Sequence, residues 1–462
     1  MKIYNTLTGN KQEFIPLDGN KVKMYACGIT VSGEAHIGHA YQALIYDIMR
    51  RYLIKKGYEV TYARNYTDVD DKIIAKSNET GIPADKYAQD MIKNIDIQMA
   101  RLQVGDPDIW LKATESIDDI IAFVSTLIEK GHAYSTDKGD VYFSVESFPS
   151  YGKLSHRNLE DAKNGVRIDN DEEKKNPLDF ALWKSAKPGE PSWQSPWGEG
   201  RPGWHIECST MNKKAFGEQI DIHGGGRDLI FPHHENEIAQ SEALNGKPFA
   251  NFWVHNGLIK VNGQKMSKSL GNSLYLKDLL DKYSPETVKF ALLSTNYRAD
   301  INVTDNLFPD AEKHLVDFYS IILSAKNKGI EIAGENAEID SEFDATMDND
   351  FNTALAISNL FVYFKKIKSK INAGDKSAGA DINQIIKTYS LLGLFIAKPE
   401  EFVNKYGEAK AEIPQEVIDL AERMQVARAQ KDYALADSLR AEIANLNYNV
   451  RITREGYELQ PK

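Results

Sequence analysis

The side chains best suited to hold a soft metal ion are the thiols of Cys27 and Cys208 and the pair His233 and Glu237 in Phe231-Pro232-His233-His234-Glu235-Asn236-Glu237. Pro232 sits where a helix would begin, so His233 and Glu237, at i and i+4, fall on one face of its first turns. An imidazole and a carboxylate one turn apart, with two thiolates from distant segments, are compatible with tetrahedral zinc. No finger, ribbon or H-E-x-x-H spacing applies. For either cysteine taken singly, a buried structural thiol is the ordinary role.

A second chemistry is phosphate binding. His36-Ile37-Gly38-His39 stands where a strand ends and a helix opens, and a helix N-terminus offers free N–H groups and the positive end of the dipole. Histidines at i and i+3 add two donors on the same side, and Gly38 leaves room for a flat ring against the backbone. Capping the helix is the ordinary role of such a pair. Lys265-Met266-Ser267-Lys268-Ser269 follows the hairpin signal Asn262-Gly263 and presents two lysines three apart in an expected exposed loop, suited to a polyphosphate whose charge moves. Alone, it would be a solvated Lys/Ser loop.

The elements that must position these residues are legible around them. Val22 to Ala26 alternates and reads as a half-buried strand. Ile37, Tyr41, Leu44, Ile45, Ile48, Met49, Tyr52 and Leu53 draw one apolar stripe along a long helix closed by Lys55-Lys56-Gly57, and Glu59 to Arg64 is the next strand. This is a βαβ crossover without a G-x-G-x-x-G fingerprint. Asn65 to Lys72 lies at the carboxyl end of the second strand, where open α/β sheets keep ligands, although Asp68 or Asp70 serves equally as a helix cap. Gly224-Gly225-Gly226, after a strand, suggests a backbone surface for a ribose or adenine. Residues 131 to about 200 change texture, with short strands and a Trp- and Pro-rich segment from Trp183 to Trp197, and read as an inserted module. Beyond Asn272 the chain is helical except for a linker at Asn327 to Ser341. A terminal helical hairpin turns Leu420, Met424, Leu435, Leu439 and Ile443 inward.

A length of 462 residues suits several domains, and 42% hydrophobic with 27% charged residues is a globular composition. Two cysteines cannot build a disulfide framework. No apolar run has signal-peptide or membrane-span length, so a cytoplasmic protein with no membrane partner is expected. The net charge of −11 argues against a nucleic-acid partner unless a local basic stripe provides the contacts.

The two short motifs match, letter for letter and in the right order, the signature sequences of class I aminoacyl-tRNA synthetases. Within that class the chain resembles the cysteinyl-tRNA synthetases: Met24 to Thr30, Thr67 to Lys72, Gly203 to Cys208, Phe231 to Gln240 and Met347 to Thr353 are similar to that family's blocks. The likeness covers essentially the whole chain. It departs at Ser32-Gly33, where the family usually has Tyr-Asp, and loosely from Asn447 to Lys462. The resemblance implies ATP-dependent activation of L-cysteine to cysteinyl-adenylate and transfer to tRNA(Cys). It also implies one Zn2+ per chain on Cys27, Cys208, His233 and Glu237, joined by the substrate thiolate. A metal that binds sulfur discriminates against serine far better than a pocket sensing size. By the same resemblance His36 and His39 bind phosphates in the transition state, and Lys265 and especially Lys268 follow the departing pyrophosphate with Mg2+ as counter-ion. Trp204 closes the amino-acid pocket, Gly28, Thr30 and Thr67 meet its polar groups beside Cys27, and Gly38, Gly225 and Asp228 complete the nucleotide set.

The expected fold is α/β, a Rossmann-like parallel-sheet catalytic domain with an inserted module followed by an all-α C-terminal region, in a monomer. Expected bounds are 1–115 and 201–272 for the catalytic halves, 116–200 for the insertion, 273–341 for a stem-contact segment, 342–400 for a helical bundle and 401–462 for an anticodon-binding domain. Two rivals share parts of this pattern: a ligase that passes activated cysteine to an amino sugar, and a non-catalytic nucleotide-binding protein with structural zinc. The helical end from Phe351 onward favours tRNA over the sugar.

Overall fold

The computed structural model describes residues 1–157, 173–266, 273–407, 414–430, 432–446, 448–453 and 456–461. Contacts divide the chain into two compact units, Met1–Ile396 and Ala397–Lys462.

The first unit is built on a five-stranded parallel sheet. After a short antiparallel ribbon of β1 (Lys2–Asn5) and β2 (Asn10–Glu13), the chain forms β3 (Lys21–Thr30), α1 (Ile37–Lys55), β4 (Glu59–Thr67), α2 (Asp71–Thr80), α3 (Ala84–Leu102) and β5 (Ile109–Lys112). α1 buries Tyr41, Leu44, Ile48, Tyr52 and Leu53, the apolar stripe expected from the sequence, and β4 and β5 follow β3 on one side. An insertion then supplies α4 (Ile117–Glu129) and an antiparallel sheet of β6 (Ala133–Ser135), β7 (Val141–Phe143), β8 (Phe180–Ser185) and β9 (Gly200–Pro202). The chain returns through α5 (Trp204–Phe216) to β10 (Ile220–Gly226), α6 (Glu235–Asn245) and β11 (Ala250–Asn256), giving the order β11-β10-β3-β4-β5. Because β4 leaves β3 to one side and β10 joins it on the other, a crevice opens at the carboxyl ends of these two strands, the usual ligand position in such sheets.

The insertion is anchored by apolar packing. Ile120, Phe123, Leu127, Val141, Phe143 and Trp183 share one core with Ile206 of α5 and Ala239 and Leu244 of α6. Beyond the sheet come β12 (Ile259–Val261), β13 (Gln264–Lys265), α7 (Leu276–Lys282), α8 (Pro285–Leu293), β14 (Ile301–Val303), α9 (Leu307–Asn327), α10 (Ala337–Met347), α11 (Thr353–Ala373) and α12 (Ala378–Tyr389). α10 starts inside the stretch expected to be a linker: Asn336 caps it by accepting the Glu338 N–H at 3.1 Å, and Phe343 and Met347 bury fully.

The second unit holds α13 (Pro399–Tyr406), α14 (Gln415–Ala429), α15 (Tyr433–Asn445) and a ribbon of β15 (Tyr448–Thr453) and β16 (Gly456–Pro461). Val417, Leu420, Ala421, Met424, Leu439, Ile443 and Val450 form its core. Leu435, expected inward, is 45% exposed: Ala436 occupies the buried position of that turn, and Leu435 stands one residue off the stripe. This helical region ends on a β ribbon that the all-α expectation lacks. Among the described residues, no helix is long and apolar enough to cross a membrane.

Candidate metal centre and nucleotide cradle

Cys27 owes its position to an irregularity in the sheet. Between the pairs Ala26–Arg64 and Ile29–Tyr66, β3 has two residues, Cys27 and Gly28, opposite the single Asn65 of β4. Such a bulge re-aims a side chain, and Asn65 fills it: its Oδ1 accepts the Gly28 N–H and the Tyr25 hydroxyl, both at 2.9 Å. Cys208 arrives from the second turn of α5. His233 lies in the tight turn Ile230–His234 that feeds α6, where Glu237 follows one turn later, so the i, i+4 pairing expected from the sequence is realised at 3.0 Å between His233 Nε2 and Glu237 Oε1.

These four residues converge. Cys27 Sγ stands 3.7 Å from Cys208 Sγ and 3.4 Å from Glu237 Oε1. One donor atom from each residue lies within 4.8 Å of all the others, and none of the four is more than 3% exposed. Two thiols, an imidazole and a carboxylate in that volume are a tetrahedral donor set fit for zinc. Tyr25, Met211, Phe249 and Trp253 surround it in an apolar cluster.

Charge within the group is settled by contact. The Cys27 S–H donates to Cys208 and pulls that thiol down to about 6, whereas burial pushes Cys27 well above the usual thiol range. Burial opposes the charge on His233, but Glu237 and Cys208 outweigh it and hold the imidazolium up to about 10. Burial likewise opposes ionisation of Glu237, and His223 and His233 overcome it, keeping the carboxyl well below its ordinary range. Without metal the centre is a buried network of thiolate, imidazolium and carboxylate.

Next to this centre, reached through Gly28 beside Cys27, is a cavity of about 490 Å3, whose lining includes Gly28, Thr30, His36, Gly38, His39 and Asp228. Trp204 lines it too, 38% exposed, its ring tilted over His233 with centroids 4.2 Å apart. His36 is the N-cap of α1: its Nδ1 accepts the Gly38 N–H at 3.1 Å and its own N–H reaches His39 Nδ1 at 3.4 Å. The two rings stack with centroids 3.5 Å apart. The histidines therefore cap the helix and line the cavity at once.

Two expected contacts are set back from this cavity. Thr67 is buried at the end of β4, where its carbonyl accepts the Val31 N–H at 3.1 Å. Gly225 hydrogen-bonds the Tyr46 hydroxyl through its N–H at 2.6 Å, and a side chain there would meet His234 at 2.8 Å and Leu229 at 2.9 Å. Gly226 lines the cavity instead, so close packing accounts for the glycines that precede it. Lys265 closes β13, and Lys268 lies outside the described residues.

Sequence reasoning put Asn65 at the ligand end of its strand but missed its place in the bulge, and it missed Gln42, whose Nε2 donates to the Cys27 carbonyl, and the histidines around the thiols. His223 Nε2 is 2.8 Å from Glu237 Oε2, and His205 Nδ1 is 3.0 Å from His233 Nδ1. The clustering of five histidines between positions 205 and 255 is the signal that could have found them.

The fold is that of a class I tRNA synthetase: the family model described as "tRNA synthetases class I (C) catalytic domain" matches residues 13–313, and one described as "DALR domain" matches 342–396. Mycobacterium tuberculosis methionyl-tRNA synthetase in complex with methionyl-adenylate superposes at a TM-score of 0.58 with 14% identity, covering 90% of this chain and 96% of that one. The LeuRS of Agrobacterium radiobacter, in a ternary complex, superposes at 0.61 with 12% identity, covering 86% of each chain. At such identities the likeness speaks for the fold alone.

Sequence relatives are closer. Cysteine--tRNA ligase of Maridesulfovibrio salexigens is 46% identical, covering 99% of both chains, and that of Syntrophotalea carbinolica is 47% identical, covering 96% of both. The chain belongs to the cysteine--tRNA ligase family.

Proposed function

We propose that the buried centre and the cavity beside it form one active site, in which the sulfur of L-cysteine is selected at the floor while ATP is held at the rim. As a member of its family the chain activates cysteine with ATP and charges tRNA; the residue assignments are the proposal. The observation that carries it is the convergence of four metal-type donors beside a cavity bordered by the N-terminus of α1, the two joined through Gly28, next to Cys27, and through Trp204, whose ring lies against His233.

Cys27, Cys208, His233 and Glu237 would hold one Zn2+. When bound, that ion supplies a soft Lewis-acid position that a thiolate fills well and a serine hydroxyl poorly. The chain's own groups do the rest. Trp204, resting on His233, covers the amino-acid pocket, and Gly28 and Thr30 at the end of β3 meet the amino and carboxylate groups, with Thr67 buried behind them. The cysteine carboxylate attacks the α-phosphate of ATP and expels pyrophosphate, giving the adenylate. The α1 N–H groups, with His36, His39 and the close approach allowed at Gly38, stabilise charge on the phosphates. Gly226 and Asp228 flank the nucleotide, with Gly225 packed behind them, Lys265 and Lys268 neutralise the departing pyrophosphate, and Mg2+ is its counter-ion. Positioning supplies the remainder of the rate enhancement, as in other in-line phosphoryl chemistry. The acyl group then passes to the terminal ribose of tRNA(Cys), whose stem and anticodon are assigned to the helical regions beyond residue 273.

Cysteine-dependent exchange of labelled pyrophosphate into ATP tests the first step, and charging of tRNA(Cys) tests the second. Exchange without charging, with transfer to an amino sugar, would favour the rival ligase. Absence of exchange in metal-replete protein would leave only a binding role.

A further inference from the structure

We infer that the centre contains a second, inner seat for a metal ion, formed by Cys27, His223, His234 and Glu237. This rests on the reading of Cys27, Cys208, His233 and Glu237 as the working outer seat, with which it shares one thiol and one carboxylate.

The geometry is as tight as that of the outer set. His223 Nε2 lies 2.8 Å from Glu237 Oε2. His234 Nε2 lies 3.3 Å from Cys27 Sγ and 3.9 Å from Glu237 Oε1. One donor atom from each of the four residues falls within 4.8 Å of all the others, and the two imidazoles are fully buried. One thiolate, one carboxylate and two imidazoles make a donor set that zinc or cobalt accepts.

An independent observation concerns the far side of His234. Its Nδ1 is 2.8 Å from His255 Nε2, and His255 Nδ1 is 2.8 Å from the Thr6 hydroxyl. Thr6 is itself tied to the sheet, its N–H donating to the Trp253 carbonyl at 2.8 Å. A metal-binding imidazole keeps its second nitrogen on such a partner, which fixes the ring and presents the other nitrogen to the ion. His234 is supported in this way, and its Nε2 is aimed at Cys27 and Glu237.

The two seats differ in strength and compete for shared donors. The inner one has a single thiolate, and His223 Nδ1 has no hydrogen-bond partner among the described residues, so its ring lacks the outer support that His234 has. The inner seat is the weaker. The two seats draw on the same Cys27 thiolate and Glu237 carboxylate, so an ion in the stronger outer seat leaves the inner one only two imidazoles of its own, too few to hold a second ion with comparable affinity. One ion therefore occupies one seat. Loss of an outer donor moves the ion inward rather than releasing it, and metal content separates from substrate selection.

The test is a cycle of Co2+ titrations on metal-free, full-length protein, read by chelator competition and by the thiolate-to-cobalt charge-transfer band. The forms are wild type, Cys208→Ser, His234→Gln and the double variant. Wild type is expected to bind about one ion per chain with a two-thiolate spectrum, and His234→Gln to weaken it by no more than about tenfold, the cost of losing a partner of the Cys27 sulfur. Cys208→Ser should still bind about one ion, 10- to 100-fold more weakly, with roughly half the charge-transfer intensity. Adding His234→Gln to Cys208→Ser should cost a further 100-fold. Equal effects of His234→Gln in both backgrounds, or no uptake by Cys208→Ser at 1,000 times the concentration that half-saturates wild type, would overturn the inner seat. Failure of wild type to bind any ion would instead remove the outer reading. His233→Gln, which deletes the other donor unique to the outer set, takes the place of Cys208→Ser in the same cycle should that variant lose the wild-type circular-dichroism signature.

Discussion

The floor and the rim of the proposed site, the buried four-donor centre and the cavity beside it, are made of different materials. At the floor, the proposed selection would rest on side chains: Cys27, Cys208, His233 and Glu237 come from β3, α5, the turn before α6 and α6, and all are buried. At the rim, the lining comes largely from the ends of elements, from the N-terminus of α1, the end of β3 and Gly226 at the end of β10. Choosing one atom type, sulfur over oxygen, needs donors that cannot relax, and burial in a close-packed cluster supplies that rigidity. Holding phosphates requires only N–H groups and positive charge in roughly the right place, which a helix end provides.

The widest gap between the two should appear with pH. In the metal-free floor His233 holds its proton up to about 10 and Cys27 remains a thiol, so an incoming ion must expel two protons. The sign follows: metal affinity rises with pH, by about 100-fold per unit, and falls by about 10⁴ from pH 8 to pH 6. Chelator competition at fixed ionic strength checks it, and a slope below one proton per ion would contradict the charge network described here.

Next in size is selectivity. Cys208→Ser should reduce preference for cysteine over serine from at least about 10⁴ to about 10², the range left to a pocket that senses size, as measured by pyrophosphate exchange with each amino acid. For the phosphate chemistry, Lys268→Ala should slow adenylate formation by about 10² to 10³ while leaving the KM for cysteine unchanged. Single-turnover formation of adenylate at wild-type speed would remove that lysine from the mechanism. The smallest effect contrasts two glycines. A side chain at Gly28 would lie 1.5 Å from the Asn65 carbonyl oxygen, so Gly28→Ala must part β3 from β4 at a cost of about 3 kcal/mol or more. At Gly38 the nearest atoms belong to the His36 ring, at 3.0 and 3.1 Å, and Gly38→Ala should cost less than about 1 kcal/mol. Thermal melts of the two variants decide it.

The same contrast explains what was legible in the sequence. His36 to His39 could be placed because a strand, a turn and an apolar stripe surround them within one short segment, and the His233–Glu237 pair because helical spacing is local. The setting of Cys27 could not, since the bulge at Cys27–Gly28 exists only once Asn65 of the neighbouring strand is opposite it. The chain His234, His255, Thr6 was hidden for the same reason: it joins the turn before α6, the end of β11 and the segment after β1, which meet only through the sheet. Among the glycines after β10's His223, close packing against Tyr46, His234 and Leu229 looks in sequence like a ligand surface. Leu435 misled by lying one residue off the buried stripe.

The central claim is that the ion at the floor accepts the substrate's sulfur. X-ray absorption at the zinc edge of the full-length protein, with and without L-cysteine, measures this directly. Two sulfur neighbours at about 2.3 Å should become three when cysteine is added and stay two with serine. An unchanged sulfur count, or zinc with no sulfur neighbours, would contradict the account.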